Sequence, residues 1–220
     1  MRTALIVAHG QPSDPLPAAA ELERLAQRVA AHLPDWQVTA ATLAEPGALA
    51  LATGGLAPGV VFPLFMAAGW FTRTAIPARL EEAGAVGWRI LPPFGAAEAV
   101  QALAVTLVRE SGGDQVLLAA HGSFKSPEPS RIAQALAGRI VAETGLPAKA
   151  AFIDQSPQLA EARGYGPGAV CLPFFAMAGG HVLDDLPAAL AEARFPGRLL
   201  PALGTDDRVP ALIAALITAA

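Results

Sequence analysis

The chain repeats itself. Ala8-His9-Gly10 recurs as Ala120-His121-Gly122, and FPLFMAAGWFTRTAIP at 62–77 recurs as LPFFAMAGGHVLDDLP at 172–187, in the same order and at nearly the same interval. Pro63, Gly69 and Pro77 map onto Pro173, Gly179 and Pro187. Such a chain has to fold as two copies of one unit of roughly 110 residues. The copies diverge where chemistry would sit, because Phe71 stands in the first where His181 stands in the second.

Within each copy, short apolar runs alternate with segments of helical period. In the first, 3–8, 36–42, 60–65 and 88–91 read as strands, and 17–33, about 74–82 and 97–110 as helices; Leu22, Leu25, Val29 and Leu33 carry the helical spacing. In the second, 115–119, 149–153, 169–174 and 198–200 read as strands. Helices are expected over about 129–144, about 183–193 and from 207 onward. Apolar strands alternating with helices predict a parallel sheet covered on both faces. The fold class is therefore α/β, as two tandem doubly wound parallel-sheet lobes related by internal duplication. Ser111-Gly112-Gly113 is the expected seam, giving lobes at 1–111 and 112–220.

Composition narrows the function classes. Fifty-three percent of residues are hydrophobic and 15% charged, which describes a compact globule. A net charge of −4 with no Lys/Arg stripe argues against a nucleic-acid partner. A single cysteine, Cys171, excludes a disulfide framework and sits in an apolar strand-like run, where it reads as core filler. The opening MRTALIVAHG is too short for a signal h-region, and the closing VPALIAALITAA falls far short of the roughly 20 residues that cross a bilayer. No membrane partner and a cytoplasmic location are expected.

In doubly wound sheets, ligands bind beyond the carboxyl ends of the strands, where the winding reverses. With strand order 2-1-3-4 in the second copy, His121 follows strand one, His181 lies just beyond strand three, and Asp154 follows strand two. All three are expected at one rim, a candidate metal set. Two imidazoles and a carboxylate suit a divalent first-row ion such as cobalt, iron, nickel or zinc. Asp184 and Asp185 stand on the same helix face as His181, to hold its ring, contribute a ligand or complement the helix dipole. No CxxC or HExxH is present, which excludes a structural zinc site and a zincin. Glycines at 164–168 precede a strand instead of opening a helix, so dinucleotide binding is discarded. No GxSxG elbow supports a hydrolase.

Ala-His-Gly after a first strand, Pro-Leu-Phe or Pro-Phe-Phe before Ala178-Gly179-Gly180-His181-Val182, and then Asp185-Leu186-Pro187 together resemble the class II tetrapyrrole chelatases. Within these, the chain is most similar to the sirohydrochlorin cobaltochelatase/ferrochelatase (CbiX-type) group in its long, internally duplicated form. The resemblance covers nearly the whole chain, and Ala-Gly-Gly-His-Val is its most specific element.

The resemblance implies ATP-independent insertion of a divalent metal, Co²⁺, Fe²⁺ or Ni²⁺, into sirohydrochlorin, for cobalamin or sirohaem. The metal is a substrate, and no organic cofactor is implied. His121 and His181 are the implied catalytic pair. Asp154 stands where members often carry Glu. In the first copy only His9 survives as a catalytic candidate, with Thr42 in the carboxylate place and Phe71 in the second histidine place. The active cleft is expected between the lobes and built mainly from the second.

A neutral imidazole captures the ion, so activity is expected to fall below about 6.5, the ordinary pKa of histidine. The second histidine or Asp154 would accept the pyrrole protons. For the macrocycle, Lys125, Arg73 and Arg131 offer cations to rim carboxylates, Trp70 and Phe71 a flat apolar face, and Asp184 a further substrate contact. Plainer roles compete: Asp154 as a turn cap, Trp70 and Phe71 as a plug in a vacant site, and His32 as a residue favoured by a helix C-terminus. The alternative function is a non-catalytic tetrapyrrole- or metal-binding protein on the same scaffold. The duplication suggests a monomer imitating a dimer of single units, with a homodimer also compatible.

Overall fold

The computed structural model describes residues 1–220. Along the chain run β1 (Arg2–Ala8), α1 (Pro15–Ala30), β2 (Trp36–Thr42), α2 (Ala48–Thr53), β3 (Val60–Pro63), α3 (Ile76–Glu82), β4 (Arg89–Ile90) and α4 (Glu98–Ser111). The second copy supplies β5 (Val116–Ala120), α5 (Glu128–Thr144), β6 (Ala148–Phe152), β7 (Val170–Pro173), α6 (Leu186–Glu192), β8 (Arg198–Leu199) and α7 (Val209–Thr218). The strands form two four-stranded parallel sheets, ordered β2-β1-β3-β4 and β6-β5-β7-β8. This is the 2-1-3-4 order on which the expected meeting of His121, Asp154 and His181 at one rim depends. No helix is long and apolar enough to cross a membrane.

The central strands explain the order. Ala4–Val7 in β1 and all of β5 are buried on both faces. A strand without a polar face has to lie inside a sheet covered by helices on each side. In the first sheet Leu5, Val7 and Val61 pack with Leu49, Ile76 and Leu80; in the second, Leu117, Ala119 and Cys171 pack with Leu159, Leu186 and Leu190. Cys171 is fully buried in β7, and burial pushes its thiol up to about 12. It serves as a small apolar side chain.

The compact units are not the two copies. One comprises residues 1–94 with 207–220, the other 95–206. Helix α4, written in the first copy, therefore packs in the second unit against α5 and β7, and Glu98 pairs with Arg139 at 2.7 Å. Helix α7, the last of the second copy, packs on α1, where Arg28 meets Asp207 at 2.9 Å. The Ser-Gly-Gly segment is accordingly no seam between lobes. It is the turn from α4 into β5: Gly112 ends the helix at φ +65°, and a side chain at Gly113 would collide with Val170. A Gly-Gly pair marks a tight αβ turn as readily as a linker, and here packing made it a turn.

The helices expected near 74–82 and 183–193 begin differently from expectation. In each copy the first turn is a π-turn, at Phe71–Ala75 and His181–Asp185, before α3 and α6 continue. Helix α2 carries no sequence signal of its own. It is a six-residue Ala/Leu segment too short to show a period.

Candidate metal-capturing site

In the second unit, β5 runs buried to Ala120 and delivers His121 at its carboxyl end. The chain then turns at Gly122, whose φ is +76°. A Cβ there would lie 2.7 Å from Gln155 and 3.0 Å from Phe152, so the turn demands glycine on both counts. Two bonds tie this loop to the end of β6: Asp154 N–H donates to the His121 carbonyl at 2.9 Å, and Ser123 N–H donates to Gln155 Oε1 at 2.7 Å. His181 arrives from β7 through Gly179-Gly180 and opens the π-turn, whose defining bond runs from Leu186 N–H to the His181 carbonyl. The wider turn aligns His181 with Asp185.

The two rings meet. His121 Nε2 lies 3.1 Å from His181 Nε2, with ring centroids 4.4 Å apart and planes at 88°. Behind each ring stands an acceptor. His121 Nδ1 faces the Gly122 carbonyl at 3.1 Å and Asp154 Oδ2 at 3.4 Å; His181 Nδ1 faces Asp185 Oδ2 at 2.6 Å. Acceptors behind both rings favour hydrogens on Nδ1, and in that tautomer both Nε2 lone pairs face the 3.1 Å gap between the rings. Two lone pairs that close are satisfied by a shared cation. The side chains of both histidines and both carboxylates are about half exposed, open to an arriving ion and ligand.

Asp154 reaches this rim but not the shared point. Its carboxylate lies on the Nδ1 side of His121, and no group of three His, Cys, Asp or Glu side chains is placed to hold one ion. The side chains that meet at the rim are a histidine pair, with Asp154 behind it. Asp184 and Asp185, undivided in sequence, are separated by the structure: Asp185 contacts His181, while Asp184 is exposed. Lys125 is exposed on the loop after His121, and Arg131 pairs with Glu128 at 3.1 Å.

The first unit shows the same frame without the second histidine. His9 follows β1, its Nδ1 2.8 Å from the Gly10 carbonyl. Phe71 occupies the place of His181: its ring is edge-on to His9, with centroids 4.5 Å apart and planes at 76°. Phe65 stacks on Phe71 at 5.8 Å and Trp70 meets its edge at 5.2 Å, so these aromatics fill the position. Arg73, in the same π-turn, is exposed.

The carboxylate place requires a correction. Ala44, not Thr42, matches Asp154, because Ala44 N–H bonds the His9 carbonyl at 2.9 Å as Asp154 N–H bonds that of His121. Thr42 pairs with Ala8 just as Phe152 pairs with Ala120. It is buried under Gly10 with its hydroxyl unpartnered. Ala75 likewise stands where Asp185 does.

These geometries meet a family resemblance that reaches over the whole chain. The family model CbiX matches residues 115–220, the stretch that carries the histidine pair. A solved structure described as CbiX, the terminal enzyme for biosynthesis of siroheme in denitrifying bacteria, is 45% identical, with a TM-score of 0.92 over 100% of this chain and 99% of that one. The chain belongs to the CbiX family. Two structures of SirB share the fold at lower identity. SirB from Bacillus subtilis with Fe³⁺ is 16% identical (TM-score 0.75, 99% of this chain and 95% of that one). The sirohydrochlorin chelatase SirB from Bacillus subtilis subspecies spizizenii in complex with cobalt is 17% identical (TM-score 0.65, 99% and 94%). A comparison with curated proteins gave no match. Membership in CbiX makes the chain an enzyme of the chelatase kind, and the two-lobed fold is that of its relatives.

Proposed function

We propose that this chain inserts a divalent metal ion into sirohydrochlorin, with Fe²⁺ the first candidate and Co²⁺ the second, and that the second lobe does the work. The observation that carries the reading is the 3.1 Å approach of His121 and His181 through their Nε2 atoms in a member of the CbiX family. Iron takes precedence because the relative at 45% identity is described by its place in siroheme biosynthesis.

The geometry suits capture followed by release. With metal–nitrogen bonds of about 2.05 Å, two nitrogens 3.1 Å apart subtend about 98° at the ion, close to the right angle of neighbouring octahedral positions. Two imidazoles leave the other positions to water and then to the macrocycle nitrogens. A pair holds the ion less firmly than a closed four-ligand cage, and four pyrrole-type nitrogens outcompete it.

As the ion passes over, its two bonds to Nε2 break and its bonds to the macrocycle form. The two N–H protons of the macrocycle leave, so one M²⁺ enters for two H⁺ released. The Asp154 carboxylate, half exposed beside His121, and the vacated imidazoles are the acceptors. Lys125, on the loop of His121, supplies a cation for the carboxylates of the substrate. His9 and Phe71 hold no ion on this reading, since an aromatic ring fills the second ligand's place.

The test is anaerobic absorbance of sirohydrochlorin mixed with Fe²⁺ or Co²⁺. Acceleration by the wild type, abolished in His121→Ala, is expected. No acceleration with either metal sinks the enzyme reading and leaves a binding protein.

A further inference from the structure

The two histidines of the pair are not oriented alike. The Ala-His-Gly turn carries its own acceptor, since the ring of His121 faces the carbonyl of Gly122 at 3.1 Å and that of His9 faces Gly10 at 2.8 Å. This contact persists in a lobe that has lost every other ligand-supporting group. His181 has no such carbonyl. The acceptor on its Nδ1 is Asp185 Oδ2, a carboxylate oxygen at the short distance of 2.6 Å.

We propose that Asp185 is the positioning residue of the site: it fixes His181 as the Nδ1–H tautomer and sets the rotation of its ring, without touching the ion. The purpose of this arrangement rests on the chelatase reading; its geometry does not.

A purely structural role for Asp185 meets two observations against it. Asp185 precedes α6 at the N-cap position, yet its side chain makes no capping bond there. The first lobe supplies the second: with Ala75 at the matching position, the π-turn still forms, closed by Ile76 N–H to the Phe71 carbonyl as Leu186 N–H closes on His181. The turn does not need the carboxylate. Alanine stands there in the lobe whose second histidine has become phenylalanine, and the carboxylate stands where there is a ring to orient.

The alternative tautomer shows what Asp185 prevents. With its hydrogen on Nε2, His181 would donate to the His121 Nε2 lone pair across the same 3.1 Å, and the pair would close on itself. Facing a carboxylate, a bare Nδ1 lone pair is repelled, and that repulsion holds the pair open. Asp154 does not duplicate the function, because removing it leaves His121 the Gly122 carbonyl.

Long-range ¹H–¹⁵N correlation spectra of the metal-free full-length protein separate the tautomers. They are recorded about two pH units above the ordinary histidine value of about 6.5. The wild type is expected to show His181 protonated on Nδ1, and Asp185→Ala to show it protonated on Nε2 with His121 still protonated on Nδ1. Asp184→Ala removes the same charge one residue away and is expected to leave both rings as they are. In parallel, Co²⁺ affinity should fall about 10- to 100-fold in Asp185→Ala and stay near wild type in Asp184→Ala. His181 remaining Nδ1–H in Asp185→Ala, or an equal shift in Asp184→Ala, overturns the proposal. His121 remaining Nδ1–H reports that the variant is folded. Neither readout uses sirohydrochlorin, so a protein that shows the tautomer switch but inserts no metal refutes the proposed function and leaves this inference standing.

Discussion

The two lobes place the same turn, Ala-His-Gly, at the end of the same central strand, and the same π-turn beyond the third strand of the sheet. In one, rings 4.4 Å apart are two imidazoles; in the other, rings 4.5 Å apart are an imidazole and a phenyl. The backbone frame is therefore independent of the chemistry it carries. On the proposed reading, three side chains distinguish the lobe that takes an ion from the one that does not: His181, Asp185 and Asp154 against Phe71, Ala75 and Ala44. Duplication has left an internal control in which fold and site vary separately.

The hardest test of this comparison carries the first lobe's residue into the second. His181→Phe should fold normally, because Phe71 is accommodated at that place, and should lower the anaerobic insertion rate by at least about 100-fold. Normal activity would show that the pair is not the site. Removing the carboxylate behind His121 is milder: Asp154→Ala should slow insertion about tenfold, in line with loss of a group supporting a ligand. A rate at the uncatalysed level would instead make Asp154 a participant as essential as the histidines.

The reverse transfer sharpens the same point. Phe71→His with Ala75→Asp and Ala44→Asp should give the first lobe a Co²⁺ site of its own, weaker than that of the second, seen as additional bound metal at equilibrium. Failure to bind would mean that the frames differ in ways the three positions do not capture. The smallest effect belongs to His9→Ala, expected to change the insertion rate by less than about twofold, as a substitution away from the working site. A larger loss would return the first lobe to the mechanism.

The parts of this arrangement legible in sequence were those written in repeats and apolar runs. Parallel sheets covered on both faces follow from the apolar strands, and, given the order 2-1-3-4, the meeting of His121 and His181 follows from strands one and three being neighbours. Other parts were not legible. Thr42 stands close enough in sequence to take the carboxylate place, whereas the match of Ala44 to Asp154 depends on which amide bonds the histidine carbonyl. Asp154 was grouped with the ligands because topology brings it to the rim; which nitrogen of the ring it faces is a matter of side-chain geometry. No residue pattern marks a π-turn, so the choice between Asp184 and Asp185 stayed open until the backbone closed it. The exchange of α4 and α7 between units was hidden as well, since both helices carry the apolar faces they would need on either sheet.

The most direct measurement is the number of Co²⁺ ions bound per chain, by anaerobic equilibrium titration, in the wild type, His9→Ala and His181→Phe. One ion per chain in the wild type and in His9→Ala, and none in His181→Phe, is the result expected if the second-lobe pair alone holds the metal. An ion retained in His181→Phe, or lost in His9→Ala, would contradict it.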